Sequence, residues 1–396
     1  MKRVAIVSPR CHEKIVGGAE ALAWQYAQLL AGDYAVDVLS STASDYTHWK
    51  NDLPEGIEKR DGVTIRRFRV AGERGPYFHE LHRKLLLDAS ASGGVYPSRR
   101  VRWTEALQEE FIRAQGPQCP GLVAHLADHG DDYAAILFVT YLYATTYDGA
   151  RALRHRRWAV VPTLHDEPPA YFSVFAHAAL RTPQLLWNTA AERAIADRLW
   201  GISTGTIVSM TVETRVVEPA RENFPYLLYC GRIDSHKGCP MLIAAFEQYK
   251  SAHPSHLKLL LTGSNQLGVV DSDNVRYLGF VDEDRKFALM AGARAFVHPS
   301  AYESLSIVAL EAMAQGTPIV VNGACEILAD HVAGSDSGFV FLGQDGLHAA
   351  IDAVMSLDDA ARAGHSTRAR DYVVRNYGHA QIRARLMAEV ETLAAS

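Results

Sequence analysis

His298-Pro299-Ser300-Ala301-Tyr302-Glu303-Ser304-Leu305-Ser306-Ile307-Val308-Ala309-Leu310-Glu311-Ala312-Met313-Ala314-Gln315-Gly316-Thr317-Pro318 is the stretch that decides how this chain is read. The run from Arg294 to Val297 leading into it is apolar enough to end a buried strand. Pro299 and Ser300 stop that strand. Ser304 or Ser306 is placed to cap a helix, Gly316 to close it in a left-handed conformation, and Pro318 to prevent its continuation. The segment therefore reads as strand end, polar loop and helix, with the carboxylates Glu303 and Glu311 at its margins. A helix N-terminus offers free N–H groups and the positive end of a dipole, which suits a phosphate. A helical rise of about 1.5 Å per residue would set the two carboxylates roughly 10 Å apart. That span suits a ligand presenting hydroxyls on either side of a diphosphate.

Outward from this stretch, short apolar runs alternate with helical ones. In the first half the expected strands are Val4–Ser8, Ala35–Ser40, Val63–Val70, Ala135–Val139, Trp158–Thr163 and Leu185–Asn188, with helices that include Ala19–Leu30 and Trp103–Ala114. The second half repeats the theme with strands at Tyr226–Cys230, Leu257–Leu261, Val275–Leu278, Ala295–Val297, Ile319–Val321 and Phe339–Phe341. Helices are expected there at Met241–Lys250, Glu283–Met290 and Ile307–Ala314. Such alternation predicts an α/β protein built from doubly wound sheets. At 396 residues the chain exceeds what one core usually supports. The domains are expected at 1–212 and 213–375, the boundary falling in the polar, strand-poor stretch 205–222. A helix in 376–396, the end of a helical tract from Asp358 to Leu393, is expected to pack back on the first domain.

Composition narrows the function classes. The chain is 48% hydrophobic and 21% charged, ordinary for a globular enzyme. A net charge of −5 and a pI near 6.4 argue against a general nucleic-acid binder. The five cysteines show no CxxC pair, so reduced thiols and a cytoplasmic location are expected. The first residues, Met1 to Pro9, read as a strand and not as a signal peptide, and no apolar run is long enough for a membrane span. The 17 histidines are read as falling in neither H-x-x-x-H nor HExxH spacing, so no metal site is expected. The chain is also read as having neither a nucleophile elbow nor a Walker A loop.

Three further motifs follow strand ends. Gly231-Arg232-Ile233-Asp234-Ser235-His236-Lys237-Gly238 comes after the first strand of the second half. Arg offers a planar fork and Lys a point charge, a combination suited to a diphosphate. Taken alone, the loop reads equally well as solvated charge. Gly17-Gly18-Ala19-Glu20 lies between the first strand and the first helix, where paired glycines permit close backbone approach to a ligand, or simply make a turn. His165, in Thr163-Leu164-His165-Asp166, ends another strand, where it could hydrogen-bond a ligand hydroxyl at a cleft or be a satisfied polar residue. Residues 60–113 hold eleven Arg or Lys against seven Asp or Glu, interleaved with Phe68, Tyr77, Phe78, Tyr96 and Trp103. That region reads either as a surface for anionic lipid or as an ordinary solvated edge. The cluster Arg151, Arg154, Arg156 and Arg157 carries the same two readings.

Together these residues resemble retaining glycosyltransferase family 4, of the GT-B fold. The resemblance is strongest from Tyr226 to Val321. It is carried by the Glu-x7-Glu pattern of Glu303 and Glu311, by Gly231-Arg232 with Lys237-Gly238, and by Asn274-Val275-Arg276-Tyr277-Leu278-Gly279-Phe280-Val281. The resemblance implies two Rossmann-like domains facing a central cleft, the second binding a nucleoside diphosphate sugar and the first a glycan or lipid-linked acceptor. It implies that Arg232 and Lys237 bind the diphosphate, that Glu303 contacts the donor sugar and Glu311 the ribose, and that backbone groups of Ser304, Leu305, Ser306 and Ile307 complete the site. Gly17 and Gly18 would abut the donor phosphates, and His165 would lie near the transferred sugar. His165, Arg232, Lys237 and Glu303 are thus the expected catalytic residues, with neither cofactor nor metal. Three stretches depart from the pattern. The loop reads Glu-Ser-Leu-Ser where many relatives have glycines, and Thr206–Glu213 and Asn322–Glu326 are poorer in glycine than usual. The implied activity is retaining hexosyl transfer in cell-surface polysaccharide synthesis, with region 60–113 touching the inner face of the membrane. A nucleotide-sugar epimerase, a phosphorylase and a silent nucleotide-sugar-binding subunit are the alternatives.

Overall fold

The computed structural model describes residues 1–15, 17–91 and 101–396. The chain divides into two compact units, Met1–Met210 with Ile382–Ser396, and Thr211–Gln381. The divide falls at 210/211 and 381/382, against the expected 212/213 and 375/376.

The first unit is built on β1 (Arg3–Val7), β2 (Ala35–Ser41), β3 (Gly56–Arg60), β4 (Val63–Phe68), β5 (Ala135–Val139), β6 (Trp158–Val161), β7 (Gln184–Trp187) and β8 (Thr206–Ile207). Their order across the sheet is β3-β4-β2-β1-β5-β6-β7-β8. The inner strands are buried along nearly their whole length, as β5 shows, because helices cover parallel strands on both faces. Two strands were not anticipated. β3 pairs antiparallel with β4, Arg60 opposite Val63, through the two-residue turn Asp61-Gly62. Both turn residues have positive φ, 50° and 80°, the conformation an Asp-Gly hairpin requires. That dipeptide was the available signal. β8 lies at the edge of the stretch read as strand-poor, and its two residues pair with Leu186 and Trp187.

The second unit holds β9 (Tyr226–Cys230), β10 (Lys258–Thr262), β11 (Val275–Tyr277), β12 (Ala295–His298), β13 (Ile319–Asn322) and β14 (Phe339–Phe341). All are parallel, in the order β11-β10-β9-β12-β13-β14. Leu227, Tyr229, Leu259, Leu261, Val297 and Val320 form the sheet side of a core closed by Phe246 and Ile351 from helices. The chain proceeds outward from β9 to β11 and then returns to place β12 on the other side of β9. In a doubly wound sheet, such a reversal opens a crevice at the carboxyl ends of the two strands. The helical tract at the end of the chain is two helices, Asp359–Tyr377 and His379–Ala395, parted at Gly378. The second is joined to the first unit by Gln184, whose amide donates to Glu389 at 2.6 Å, and by an Arg383–Asp33 ion pair.

Candidate functional site

β9 and β12 are neighbours, with Leu227 opposite Ala295 and Leu228 opposite Phe296. The loops that follow them, 231–238 and 299–306, therefore leave the sheet side by side at its carboxyl edge. They pack without a gap. Gly238 has φ 74°, and a Cβ there would lie 2.6 Å from the Pro299 carbonyl oxygen. Asn322, at the end of β13, donates its side-chain amide to the same oxygen at 2.9 Å.

This packing unites Lys237 and Glu303, 66 residues apart in sequence, at 2.5 Å between Nζ and Oε1. His298, the last residue of β12, places Nε2 3.4 Å from the same carboxylate oxygen. Burial pushes the His298 imidazole down to about 4, so it is neutral near pH 7. Arg232 lies 3.4 Å from Asp234, and Asp234 in turn accepts the backbone N–H of Lys237 at 2.7 Å, which folds the loop between the two cations.

Glu311 lies in the apolar helix Ile307–Ala314 and is almost fully buried. Its partner is Lys286, from the helix Glu283–Gly292, whose Nζ lies 2.9 Å from Oε1 and 2.8 Å from Oε2. Burial raises the Glu311 carboxyl above the usual range while Lys286 opposes the shift. Sequence reading missed Lys286, which carries no motif of its own and becomes legible only as the counter-charge of a buried acid.

Two expectations about this segment are corrected. The helix begins at Ile307, so the even helical rise assumed between Glu303 and Glu311 does not apply across the loop residues 303–306. Neither serine caps the helix by its side chain. Ser306 occupies the N-cap position with φ 63° and ψ 73°, makes no cap bond, and leaves its buried Oγ without a partner. It thus holds a conformation natural to glycine. Ser304 lies in the bend before it. Leu305 is fixed instead through its carbonyl, which accepts from His331 Nε2 at 2.7 Å, with the other His331 nitrogen 3.0 Å from the Tyr372 hydroxyl.

Gly17, Gly18 and His165 belong to the first unit. Gly17 is the N-cap of the helix Gly18–Leu30, and a Cβ on it would collide with the Glu20 carboxylate, which is held by Arg10. Gly18 has open space around it. His165 follows Thr163, a non-glycine residue at φ 52°, and its buried Nδ1 has no hydrogen-bond partner. The turn is braced by Glu192, which is fully buried. One Glu192 oxygen accepts the Leu164 N–H at 2.7 Å and the other the Asn188 N–H at 2.6 Å. Thr189 accepts the Glu192 N–H at 2.9 Å, so Thr189-x-x-Glu192 was a legible capping signature that the sequence reading passed over.

Gly201-Ile202-Ser203-Thr204-Gly205 has the letters of a nucleophile elbow, contrary to the reading above. It runs from a helix to strand β8, the reverse of the order an elbow needs, and Ser203 is exposed. His125 and His129 do form an H-x-x-x-H pair, contrary to expectation, one helical turn apart, but among the described residues no three His, Cys, Asp or Glu side chains gather as metal ligands would. Much of the basic charge of region 60–113 is committed: Arg66 to Asp37, Arg67 to Glu58 and Lys84 to Asp88. Phe78 and Trp103 are buried, Tyr77 is exposed, and Tyr96 lies outside the described residues. In the second cluster, Arg151 pairs with Glu109 and Arg157 with Asp131. Among the described residues no helix is long and apolar enough to cross a membrane.

Residues 211–370, which contain both ion pairs, match the family described as Glycosyl transferases group 1. Among curated relatives, a glycogen synthase of Mycobacterium tuberculosis is 35% identical over 153 residues, which span 36% of this chain and 36% of the relative's length. Among solved structures, the sucrose-phosphate synthase of Thermosynechococcus elongatus superimposes with a TM-score of 0.70 at 20% identity, covering 100% of both chains. Anabaena HepE, solved in complex with UDP and glucose, superimposes with a TM-score of 0.69 at 16% identity, again over 100% of both. The whole chain accordingly has the GT-B fold anticipated from its sequence.

Proposed function

We propose that the protein is a retaining hexosyltransferase that moves a sugar from a nucleoside diphosphate to a glycan or lipid-linked acceptor, in the synthesis of a surface polysaccharide. The observation that carries this reading is the Lys237–Glu303 pair at the β9/β12 reversal, inside the segment that matches the glycosyltransferase family. An ammonium has three donors. One is directed at Glu303, and the others are available to a diphosphate. In this reading the glycosidic bond of the donor breaks, and negative charge grows on the departing phosphate. Lys237, Arg232 and the N-terminus of the helix at Ile307 stabilise that charge, work that needs no metal ion. Glu303, fixed by Lys237 and neutral His298, binds donor hydroxyls and favours the oxocarbenium character of the sugar. The acceptor hydroxyl attacks the same face, and a departing phosphate oxygen takes its proton. Glu311, held by Lys286, accepts from the ribose hydroxyls. The roles implied for Gly17, Gly18 and His165, the cytoplasmic location and a membrane contact through region 60–113 belong to the same proposal. The structure in complex with UDP and glucose supports a nucleotide donor by analogy of fold.

A thermal-shift panel of UDP, GDP, ADP and dTDP tests the donor assignment. The matching nucleotide should stabilise the fold by about 2.7 kcal/mol at one hundred times its Kd. With the matching sugar donor, Lys237→Ala should lower kcat by about 10²-fold or more. Turnover near wild type in that variant, or no stabilisation by any of the four nucleotides, would defeat the assignment. NMR of the product's anomeric carbon decides between retention and inversion.

A further inference from the structure

In the first unit one cation has no anion paired with it among the described residues. Arg74 follows β4, and its guanidinium lies between two rings, 4.3 Å from the centre of Phe78 and 5.3 Å from that of Trp49. Its Nε and Nη2 both donate to one acceptor, the carbonyl of Gln115, at 3.2 and 2.8 Å. That carbonyl also accepts the Trp49 indole N–H at 2.7 Å. A guanidinium has five N–H donors. Two of them share an already occupied neutral oxygen, and the other three have no protein acceptor among the described residues. No carboxylate of those residues comes within ion-pair distance. Asp45, the carboxylate whose charge acts on Arg74, is turned to its own loop, accepting the N–H groups of Thr47 and His48 at 2.7 Å each. Arg10, itself paired with Glu20, also acts on Arg74.

Arg74 is half-buried, and a guanidinium drawn this far out of water with no carboxylate beside it carries an energetic cost. Here burial lowers the Arg74 pKa to about 10 with no ion pair to offset it. The side chain opens onto a cavity of about 330 Å³, whose wall includes Trp49, Tyr77 and Phe78 and the backbone at Gly72 and Gly75. Two acids also line it. Glu110 is paired with Arg113, and Glu73 is exposed.

We propose that Arg74 forms a phosphate subsite in this cavity, where a clamped planar fork meets a phosphoryl oxygen pair and the aromatic wall packs against the group that the phosphate carries. Building on the transferase reading, the ligand is a phosphate-bearing acceptor, either a soluble sugar phosphate or a lipid-linked one. The two share the phosphoryl chemistry and differ in what lies beyond it.

The test is calorimetric titration of the full chain with inorganic phosphate, glucose 6-phosphate and glucose, with a saturating nucleoside diphosphate present to occupy the Lys237 site. Sedimentation with phosphatidic acid vesicles, against phosphatidylcholine vesicles, forms the lipid arm. The expected result is binding of a phosphoryl probe and not of glucose or phosphatidylcholine. Arg74→Gln should weaken it at least tenfold. Arg74→Lys, which keeps the charge and the packing but loses the fork, should weaken it several-fold and serves as the readout if the Gln variant folds poorly. Nucleotide affinity should be unchanged in both. Binding of glucose 6-phosphate identifies a soluble source, and binding confined to phosphatidic acid a lipid one. The proposal falls if the wild type binds no phosphoryl probe in either arm, if both Arg74 variants bind as tightly as wild type, or if Lys237→Ala alone abolishes the binding. Loss of nucleotide binding in the wild type, by contrast, would overturn the donor assignment and leave the phosphate result to be judged by itself.

Discussion

Glu192 makes stability depend on pH in a way that can be worked out in advance. Its carboxyl has no exposure to solvent and ties the end of β6 to the end of β7 through the N–H groups of Leu164 and Asn188. Burial pushes its pKa up from the ordinary 4.5 to about 8, although those N–H groups favour the charged form. The folded state therefore holds this proton more tightly than the unfolded chain does. Its contribution to stability is complete below pH 4.5 and is lost as pH rises towards 8. Each unit within that window is worth about 1.4 kcal/mol. Between pH 5 and pH 8 the wild type should therefore lose about 3–4 kcal/mol relative to Glu192→Gln, which cannot ionise. At pH 5 the Gln variant should be the less stable by about 1–3 kcal/mol, because its amide presents a donor to one of two backbone donors. The two pH–stability curves should thus converge or cross between pH 5 and 8. Urea unfolding of both proteins at pH 5, 6, 7 and 8 measures the difference directly, and other titrating groups cancel in the comparison. A difference that stays constant across the series would refute the reasoning, because it would mean that the two N–H bonds outweigh burial and keep the carboxyl ionised throughout.

Two further outcomes test the second unit. Lys286→Met leaves Glu311 buried without its counter-charge and so raises the Glu311 pKa further. The urea midpoint of this variant should lie near that of wild type at pH 5, where Glu311 can take up a proton, and well below it at pH 8; equal deficits at both pH values would count against a charge effect. Ser306→Gly removes a left-handed strain of about 1–2 kcal/mol and a buried hydroxyl without a partner, against a chain-entropy cost of about 0.5–1 kcal/mol. Thermal unfolding should show this variant as stable as wild type or more so, whereas a loss above about 1 kcal/mol would show that the serine makes a contribution the backbone geometry does not reveal.

Local chemistry made much of this molecule legible from sequence. The runs Tyr226–Cys230 and Ile307–Ala314 were readable because continuous burial imposes continuous apolarity; the doubly wound α/β plan followed from the alternation of such runs, and the GT-B arrangement from the family resemblance. Glu303, Glu311, Arg232 and Lys237 stood out as charges at strand ends or in an apolar helix, where a core residue would be expected. The Asp61-Gly62 hairpin and the Thr189-x-x-Glu192 capping signature were equally local and could have been found. Pairing was different. Lys237 meets Glu303 across 66 residues, Lys286 meets Glu311 across 25, and Arg74 rests on Gln115 across 41. A sequence records which groups are charged, but whether a charge is spent on a neighbour depends on which loops the sheet order brings to one edge. Only the reversal of strand order between β9 and β12 joined those two loops, and only the folded first unit left Arg74 among aromatic rings with two donors on one carbonyl and the other three unspent.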